Sequence, residues 1–375
     1  MFVYITLFIL VMAFAILVRN REFVQVNIAS RREMAGRRSV GMRSGQQVCN
    51  IWAATAIFLL LTAVSACRIA VGNDYWVYRD NFKLIMQERH VSYELGFNLV
   101  VWVIQSLFGY DNYLPVFGFF SIVTCFFFVK AVYDQGEWFA GSIFLLMTGG
   151  YYYSSLNSVR YYFALAVALY AMKYVLRKQY GVFCLWIIFA AFFHKSILVV
   201  LPVYLLARWF GEKPNKYLIG AGTAVTVSLI VFRDLYRKII FKFYPFYEGS
   251  VFDQVDFSVT NIAKCLGVLV LCLIFYKTAV KDNMQNRFYF ILSLAGTALY
   301  TVGAFVPESS RIGYYFIAPQ IFLIPGVLMR IPNKKWKVFW MIGTAVAFLG
   351  YFILFLRSAY SIDIRLLPYL NWIFN

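Results

Sequence analysis

Charge is scarce in this chain. Only 14% of its 375 residues are Asp, Glu, Lys or Arg, whereas a soluble domain spends roughly a quarter of its residues on charge. The shortage excludes a domain standing free in water and points to a surface that faces lipid. Acids are the scarcer sign, with 17 Asp and Glu against 35 Lys and Arg, and histidine occurs twice. None of the six cysteines forms a CxxC pair. Most lie inside apolar runs, where a thiol acts as a small hydrophobe. Cys49 and Cys67 flank one predicted span, so neither a disulfide nor a cysteine-built metal site is expected. There is no Walker A sequence, no H-E-x-x-H and no G-x-S-x-G. There is also no Asp-x-Asp pair of the kind that holds a metal with a nucleotide sugar. No string of carboxylates inside the apolar runs suggests a proton relay. The net charge of +18 does not indicate a nucleic-acid partner, because the cations do not form one patch.

Apolar length is abundant. The chain is 62% hydrophobic and 20% aromatic, with a mean hydropathy of +0.69. A helix crosses about 30 Å of hydrocarbon with about 20 apolar residues. Apolar runs lie at 1–18, 51–69, 114–132, 138–155, 158–176, 181–193, 196–210, 217–232, 258–276, 288–306, 312–330 and 337–356. The expectation is an all-α, polytopic transmembrane helical bundle of about 12 spans, forming one integral membrane domain over 1–375. The first run has no basic leader, so it reads as a retained span.

Basic loops orient the bundle. Residues 19–50 carry seven Arg against two Glu. With 173–178, 208–216, 277–287, 330–337 and Lys130, they hold 21 of the 35 Lys and Arg. All of these can be cytoplasmic at once, with both termini outside. Residues 94–109 are also apolar enough to span, but a crossing there would invert every later loop. They are therefore expected to form an interfacial or re-entrant helix within an outer loop, 70–113, with Glu94, Asn98 and Gln105 as a polar stripe. A second outer loop, 233–257, begins with Arg233, Arg237, Lys238 and Lys242, against the rule, and turns aromatic and acidic through Tyr244, Tyr247, Glu248, Asp253 and Asp256.

In this topology the unusual polar residues all fall at the outer boundary: Asp74, Glu94, Asn157, Arg160, His194, Lys195 and Arg311. Ionisable groups at membrane depth are costly and tend to mark sites. Each has a plainer alternative. Arg160 and Arg311 can anchor to headgroups, and Asp74 or His194 can cap a helix. Asn157 and Arg160, spaced i, i+3, would share a helical face, and Glu308 with Arg311 would form an ion pair. The Tyr clusters at 151–153, 161–162 and 314–315 suit an interfacial belt. The Arg-rich segment 19–43 suits a topology signal and anionic-lipid contact.

Six short motifs occur in order: Gly72-x-Asp74-x3-Tyr78; Glu94-x-Gly96-Phe97; Asn157-x2-Arg160; His194-Lys195-Ser196 with Pro202; Arg311-Ile312-x-x-Tyr315-Phe316; and Pro368-Tyr369. In this combination the chain resembles the EpsG family of bacterial exopolysaccharide polymerases, related in role to Wzy O-antigen polymerases. The Arg-rich loop 19–50 looks longer than usual for it. The resemblance implies a GT-C-like glycosyltransferase of the bacterial plasma (inner) membrane. It would join undecaprenyl-diphosphate-linked oligosaccharide units at the periplasmic or extracellular face, without cofactor or metal. Its partners would be that lipid-linked glycan, membrane lipids and a chain-length regulator. Asp74, Glu94 and His194 are the candidate catalytic groups. Arg160, Lys195 and Arg311 are candidates for the leaving diphosphate. Trp76, Tyr78, Asn157, Tyr314 and Tyr315 are candidates for sugar contact, and Tyr244 and Tyr247 are further stacking candidates. Two alternatives stand beside this one: an O-antigen ligase or other GT-C transferase, and, from another class, a flippase or transporter for lipid-linked glycans.

Overall fold

In a computed structural model, the described residues are 1–19, 45–89, 91–243, 245, 248–250, 257–361 and 364–373. Most of the Arg-rich segment 19–43 lies outside them, as do Tyr244, Tyr247, Asp253 and Asp256. The chain is all-helical, with 17 α-helices and a single two-stranded pairing among the described residues. It forms two compact units, Met1–Lys195 with Phe339–Asn375, and Ser196–Val338.

In the first unit α1 (Phe2–Leu17) and α2 (Gly45–Ala66) run antiparallel. Asn50 Oδ1 accepts from Arg19 N–H at 2.9 Å, and Gln46 Nε2 donates to Leu17 O at 3.1 Å. Then come α3 (Tyr75–Met86), α4 (Leu95–Phe108) and α5 (Leu114–Gln135), followed by α6 (Phe139–Thr148), α7 (Tyr151–Ser154), α8 (Val159–Leu176) and α9 (Tyr180–Ala191). α5 and α8 run parallel, with Phe120 facing Phe163 and Phe127 facing Tyr170. α9 returns against α8, with Phe193 near Phe163 and Trp186 near Tyr170. α2 returns against α5, where Ser65 Oγ donates to Ser121 Oγ at 2.8 Å.

The second unit begins within a 3-10 turn, Lys195–Val199, and continues through α10 (Val200–Gly211), α11 (Asn215–Val231), α12 (Arg233–Phe243) and α13 (Val259–Ile274). A π-helical turn, Tyr276–Val280, leads to α14 (Met284–Thr301), α15 (Ser309–Ile317) and α16 (Gln320–Met329). α17 (Lys334–Ser358) carries the chain back to the first unit.

Among the described residues, five helical stretches are long and apolar enough to cross a membrane: Gly45–Ala66, Leu114–Gln135, Val159–Leu176, Ser309–Met329 and Lys334–Ser358. The bent pair α11 and α12 makes a sixth if it is one span. Helices match all twelve apolar runs, but three runs are not single regular helices. The run 138–155 breaks at Gly149-Gly150, where Gly150 takes φ +82°, a conformation that glycine reaches without steric cost. The run 312–330 is divided at Pro319, which has no N–H to give the preceding turn. The run 196–210 starts as a 3-10 turn.

α4 has 14 residues, about 21 Å at 1.5 Å per residue, and falls short of the hydrocarbon thickness. Gln105 is buried and Asn98 Nδ2 donates to Tyr93 O, while Leu95, Leu99, Trp102 and Leu107 are exposed. Gln105 of the polar stripe therefore faces protein, and an apolar row faces outward.

The C-terminal segment ties back to the end of α2. Leu370–Asn371 pairs antiparallel with Arg68–Ile69, and Tyr369 O–H donates to Val64 O at 2.9 Å. Arg68, only 1% exposed, donates to Ser65 and Ser121 and lies 5.0 Å from the Phe117 ring, with no carboxylate partner among the described residues.

At the opposite end, the last turns of α5 and α8 are joined by charge. Asp134 accepts from Lys173 at 2.7 Å and also pairs with Lys130. The Lys173 side chain is 9% exposed and its ammonium stands 3.5 Å from the Tyr170 ring centroid. Removing one partner of a buried pair strands the other charge. Asp134→Asn is expected to cost about 3 kcal/mol of unfolding free energy, and the double variant Asp134→Asn with Lys173→Met to cost less than the single one. Thermal unfolding in detergent checks this, and a double variant as unstable as the single would contradict it.

Candidate functional site

The site is built at the end of the first unit where the segment after α2 meets the turn before α8. Gly72 stands at φ +96°. A Cβ there would lie 2.8 Å from Asn157 Cα and 2.9 Å from Leu156 O. Glycine is required both for its backbone conformation and for this close approach. The contact sets Asp74 against the next segment. Asp74 N–H donates to Asn157 Oδ1 at 2.9 Å, and Ser158 Oγ donates to Asp74 Oδ2 at 3.0 Å. Asp74 occupies the N-cap position of α3 without a side-chain cap bond, so its carboxylate is used across the fold rather than within the helix. Its other oxygen has no hydrogen-bond partner among the described residues, and neither has the Asn157 amide nitrogen.

A second contact brings in Glu94. Gly96 N–H and Phe97 N–H both donate to Phe192 O, at 2.9 and 3.3 Å, and a Cβ on Gly96 would lie 2.8 Å from Phe192 Cβ. The start of α4 is thereby pressed onto the end of α9. Glu94 Oε1 accepts from Lys195 N–H at 3.1 Å, and Glu94 Oε2 accepts from Arg160 Nη1. The Arg160 and Glu94 side chains are each 17% exposed, so the pair is shielded but not sealed. The guanidinium lies 3.7 Å from the Tyr93 ring centroid, a cation–π arrangement, and Tyr93 O–H accepts from Asn81 at 2.6 Å. Arg160 Nε is buried and unpartnered.

Tyr78 is 5% exposed, packed by Phe82, Tyr93, Phe97 and Phe117, and lies in the fields of Arg160 and Asp74. Its ring is therefore covered by protein on its faces. Burial pushes the Tyr78 phenol upward and the Tyr93 phenol up to about 12. Both stay neutral near pH 7. Trp76 is half-buried beneath the Arg79 guanidinium at 4.4 Å. His194 sits edge-on to Tyr161, 5.5 Å between ring centroids, and Lys195 is exposed.

One expected pairing is corrected. Asn157 and Arg160 do not share a helical face, because α8 begins at Val159 and Asn157 lies in the turn before it. Each has its own carboxylate segment instead, Asp74 for Asn157 and Glu94 for Arg160.

The remaining candidates belong to the second unit. Arg311, in the first turn of α15, pairs with Glu308 at 3.2 Å as expected and is exposed. Glu308 adopts φ +57° and is pushed upward by burial, against the pull of Arg311. Tyr315 is fully buried. Its hydroxyl lies 3.1 Å from Ser196 Oγ, and its carbonyl accepts from Tyr204 O–H at 2.6 Å. Tyr314 is half-buried, with the Lys264 ammonium 5.7 Å from its ring centroid.

Two residues escaped the sequence reading. Ser158 was detectable as a hydroxyl just ahead of a helix, between two candidates. Tyr93 carried no signal beyond its place next to Glu94. Among the described residues, no group of three or more His, Cys, Asp or Glu is placed to hold a metal ion.

Gly72→Ala is expected to destabilise the chain by about 3 kcal/mol, combining left-handed backbone strain with overpacking. It should also loosen the segment that Gly72 N–H holds through Arg365 O at 2.8 Å. Limited trypsin digestion at Arg365, read beside the melting temperature, tests both effects. Wild-type values for the two would show that the loop has slack.

The model of the EpsG family matches residues 51–371. No curated protein and no solved structure matches the chain.

Proposed function

The chain belongs to the EpsG family, which makes it a membrane protein of polysaccharide biosynthesis, and from that premise we propose that it is a Wzy-type polysaccharide polymerase. Its substrate is an oligosaccharide repeat unit on undecaprenyl diphosphate. A hydroxyl at the non-reducing end of one unit attacks the anomeric carbon of the growing glycan. A glycosidic bond forms, the bond to the lipid diphosphate breaks, and the hydroxyl proton passes to a base. The family match supports polysaccharide biosynthesis at a membrane as the setting of this reaction.

The observation that carries the mechanism is the contrast between two carboxylates. Glu94 has a donor on each of its oxygens, from Arg160 and the Lys195 amide, whereas Asp74 is oriented by Ser158 and keeps one oxygen open. Asp74 is therefore proposed as the base. Glu94 is proposed as the group that holds Arg160 in place. Arg160 and Lys195 balance the charge developing on the diphosphate, taking the part that a metal plays elsewhere. His194 is a secondary candidate for proton transfer, imidazole being a common general acid and base. Asn157, Trp76 and the Tyr78 hydroxyl are proposed for sugar contact. Arg311, Tyr314 and Tyr315 are candidates in their own unit.

The proposed topology has twelve crossings in a GT-C-like bundle of the bacterial plasma membrane. α3, α4 and α12 do not cross. In the first unit Lys130 and Lys173 lie at the end opposite Asp74 and Glu94, and positive charge favours the cytoplasm. The catalytic face is then periplasmic or extracellular. A chain-length regulator is the proposed protein partner.

Purified full-length protein given only lipid-linked repeat units should produce a ladder of longer glycans, which a ligase would not. Asp74→Asn should cut that output by 10²–10⁴-fold at unchanged protein level and melting temperature. Arg160→Lys, which keeps the charge but loses the fork, should reduce it about tenfold or more. A normal ladder from Asp74→Asn would remove Asp74 as the base, and a normal ladder from both variants would end the polymerase assignment to this site.

A further inference from the structure

α12 is a feature of the second unit that glycan transfer leaves unused. α11 and α12 meet at Phe232 with a bend of 76°, so α12 runs nearly across the axis of the helix before it. Within eleven residues it carries Arg233, Arg237, Lys238 and Lys242 against a single acid, Asp234. At 100° per residue, Leu235, Tyr236, Ile239 and Ile240 fall on one arc, and the four cations fall on the other.

Exposure sharpens this pattern. Tyr236, Arg237, Ile240 and Phe241 are half-buried. The outward side presents Leu235 and Ile239, 53% and 44% exposed, as one row spaced four apart. Lys238 and Lys242, also exposed, form the adjacent row. Apolar and cationic rows therefore lie side by side on the open face.

The location of α12 within its unit adds a second argument. The N-terminal end of α11 is held by Arg287, which donates to Asn215 Oδ1 at 3.0 Å and to Lys213 O. α12 follows the other end of α11, and the Arg233 guanidinium stands 5.6 Å from the ring of Phe305, between α14 and α15. It thus lies opposite the Lys213 and Arg287 cluster. Cations normally gather on the cytoplasmic side of a membrane protein, so four at the other end need a local attraction. Dissolved anions would account for the lysines but not for exposed Leu235 and Ile239. Neutral lipid would account for the apolar row but not for the lysines. An anionic lipid layer satisfies both: the apolar row enters the acyl boundary while the long lysine stems reach headgroup phosphates.

The geometry points to α12 as a binding surface for anionic phospholipid, with Lys238 and Lys242 on headgroup phosphates and Leu235 and Ile239 in the acyl layer. This surface is independent of the glycosyl-transfer chemistry.

The test places a photoreactive benzophenone residue at Ile239 in the full-length protein. The protein is reconstituted in nanodiscs of phosphatidylglycerol and phosphatidylcholine, and adducts are identified by mass. Phosphatidylglycerol adducts should exceed their mole share several-fold, since each lysine near an anionic surface is worth about fivefold. The excess should shrink at high salt and vanish with Lys238→Gln and Lys242→Gln together. The same probe at half-buried Phe241 should react with the protein itself. Adducts at mole share in the otherwise unaltered chain, no lipid adduct at Ile239, or a peptide adduct from another protein in cells would each overturn the proposal. The first arm changes neither lysine, so it stands even if the double variant misfolds.

Discussion

The polar end of the first unit depends on what one carboxylate can accept. Glu94 takes a guanidinium donor from 66 residues away and a backbone donor from 101 residues away. A carboxylate has room for several donors, and in a shielded setting each bond to it is stronger than in water. Through these bonds the start of α4, the first turn of α8 and the segment after α9 share one position. Gly96 and Gly72 let backbone reach backbone closely enough for the geometry to hold.

That arrangement divides labour between two residues of the same chemistry. Glu94 has its charge matched by Arg160, and Arg160 is in turn sandwiched between that charge and the face of Tyr93. Asp74 faces a hydroxyl rather than a cation and keeps an oxygen uncommitted. A base needs an open oxygen, and an organising group needs both of its oxygens held. The difference between structural and chemical carboxylate thus arises from the number of donors each one meets.

The hydrocarbon sets the wider frame. A backbone in lipid must satisfy its own hydrogen bonds, which leaves helices as the spanning elements of this chain. Polar side chains are then displaced to helix ends, where they meet one another or water. Asp134 with Lys130 and Lys173 resolves this by ion pairing at one end of the first unit. Arg287 in the second unit resolves it by bonding to loop carbonyls and an Asn. α12 shows a third solution, in which apolar and cationic rows lie side by side on an exposed face.

The helices were legible because lipid burial writes a simple pattern: apolar length bounded by cations, Gly or Pro. Every apolar run became helix, with breaks where Gly150 or Pro319 forced them. The family motifs were legible as well, since Gly72, Asp74, Glu94, Asn157 and Arg160 lie in short recognisable strings. Partner choice was not legible. The i, i+3 spacing of Asn157 and Arg160 suggested a common face, but α8 starts only after Asn157. The polar residues of α4 formed a readable stripe, but that Gln105 is turned inward came only from the fold. The sequence by itself determined which segments are helical and which polar residues collect at their ends, because those follow from local composition. Only the tertiary structure decided which carboxylate has both oxygens held and which keeps one open, because that depends on donors brought from far along the chain.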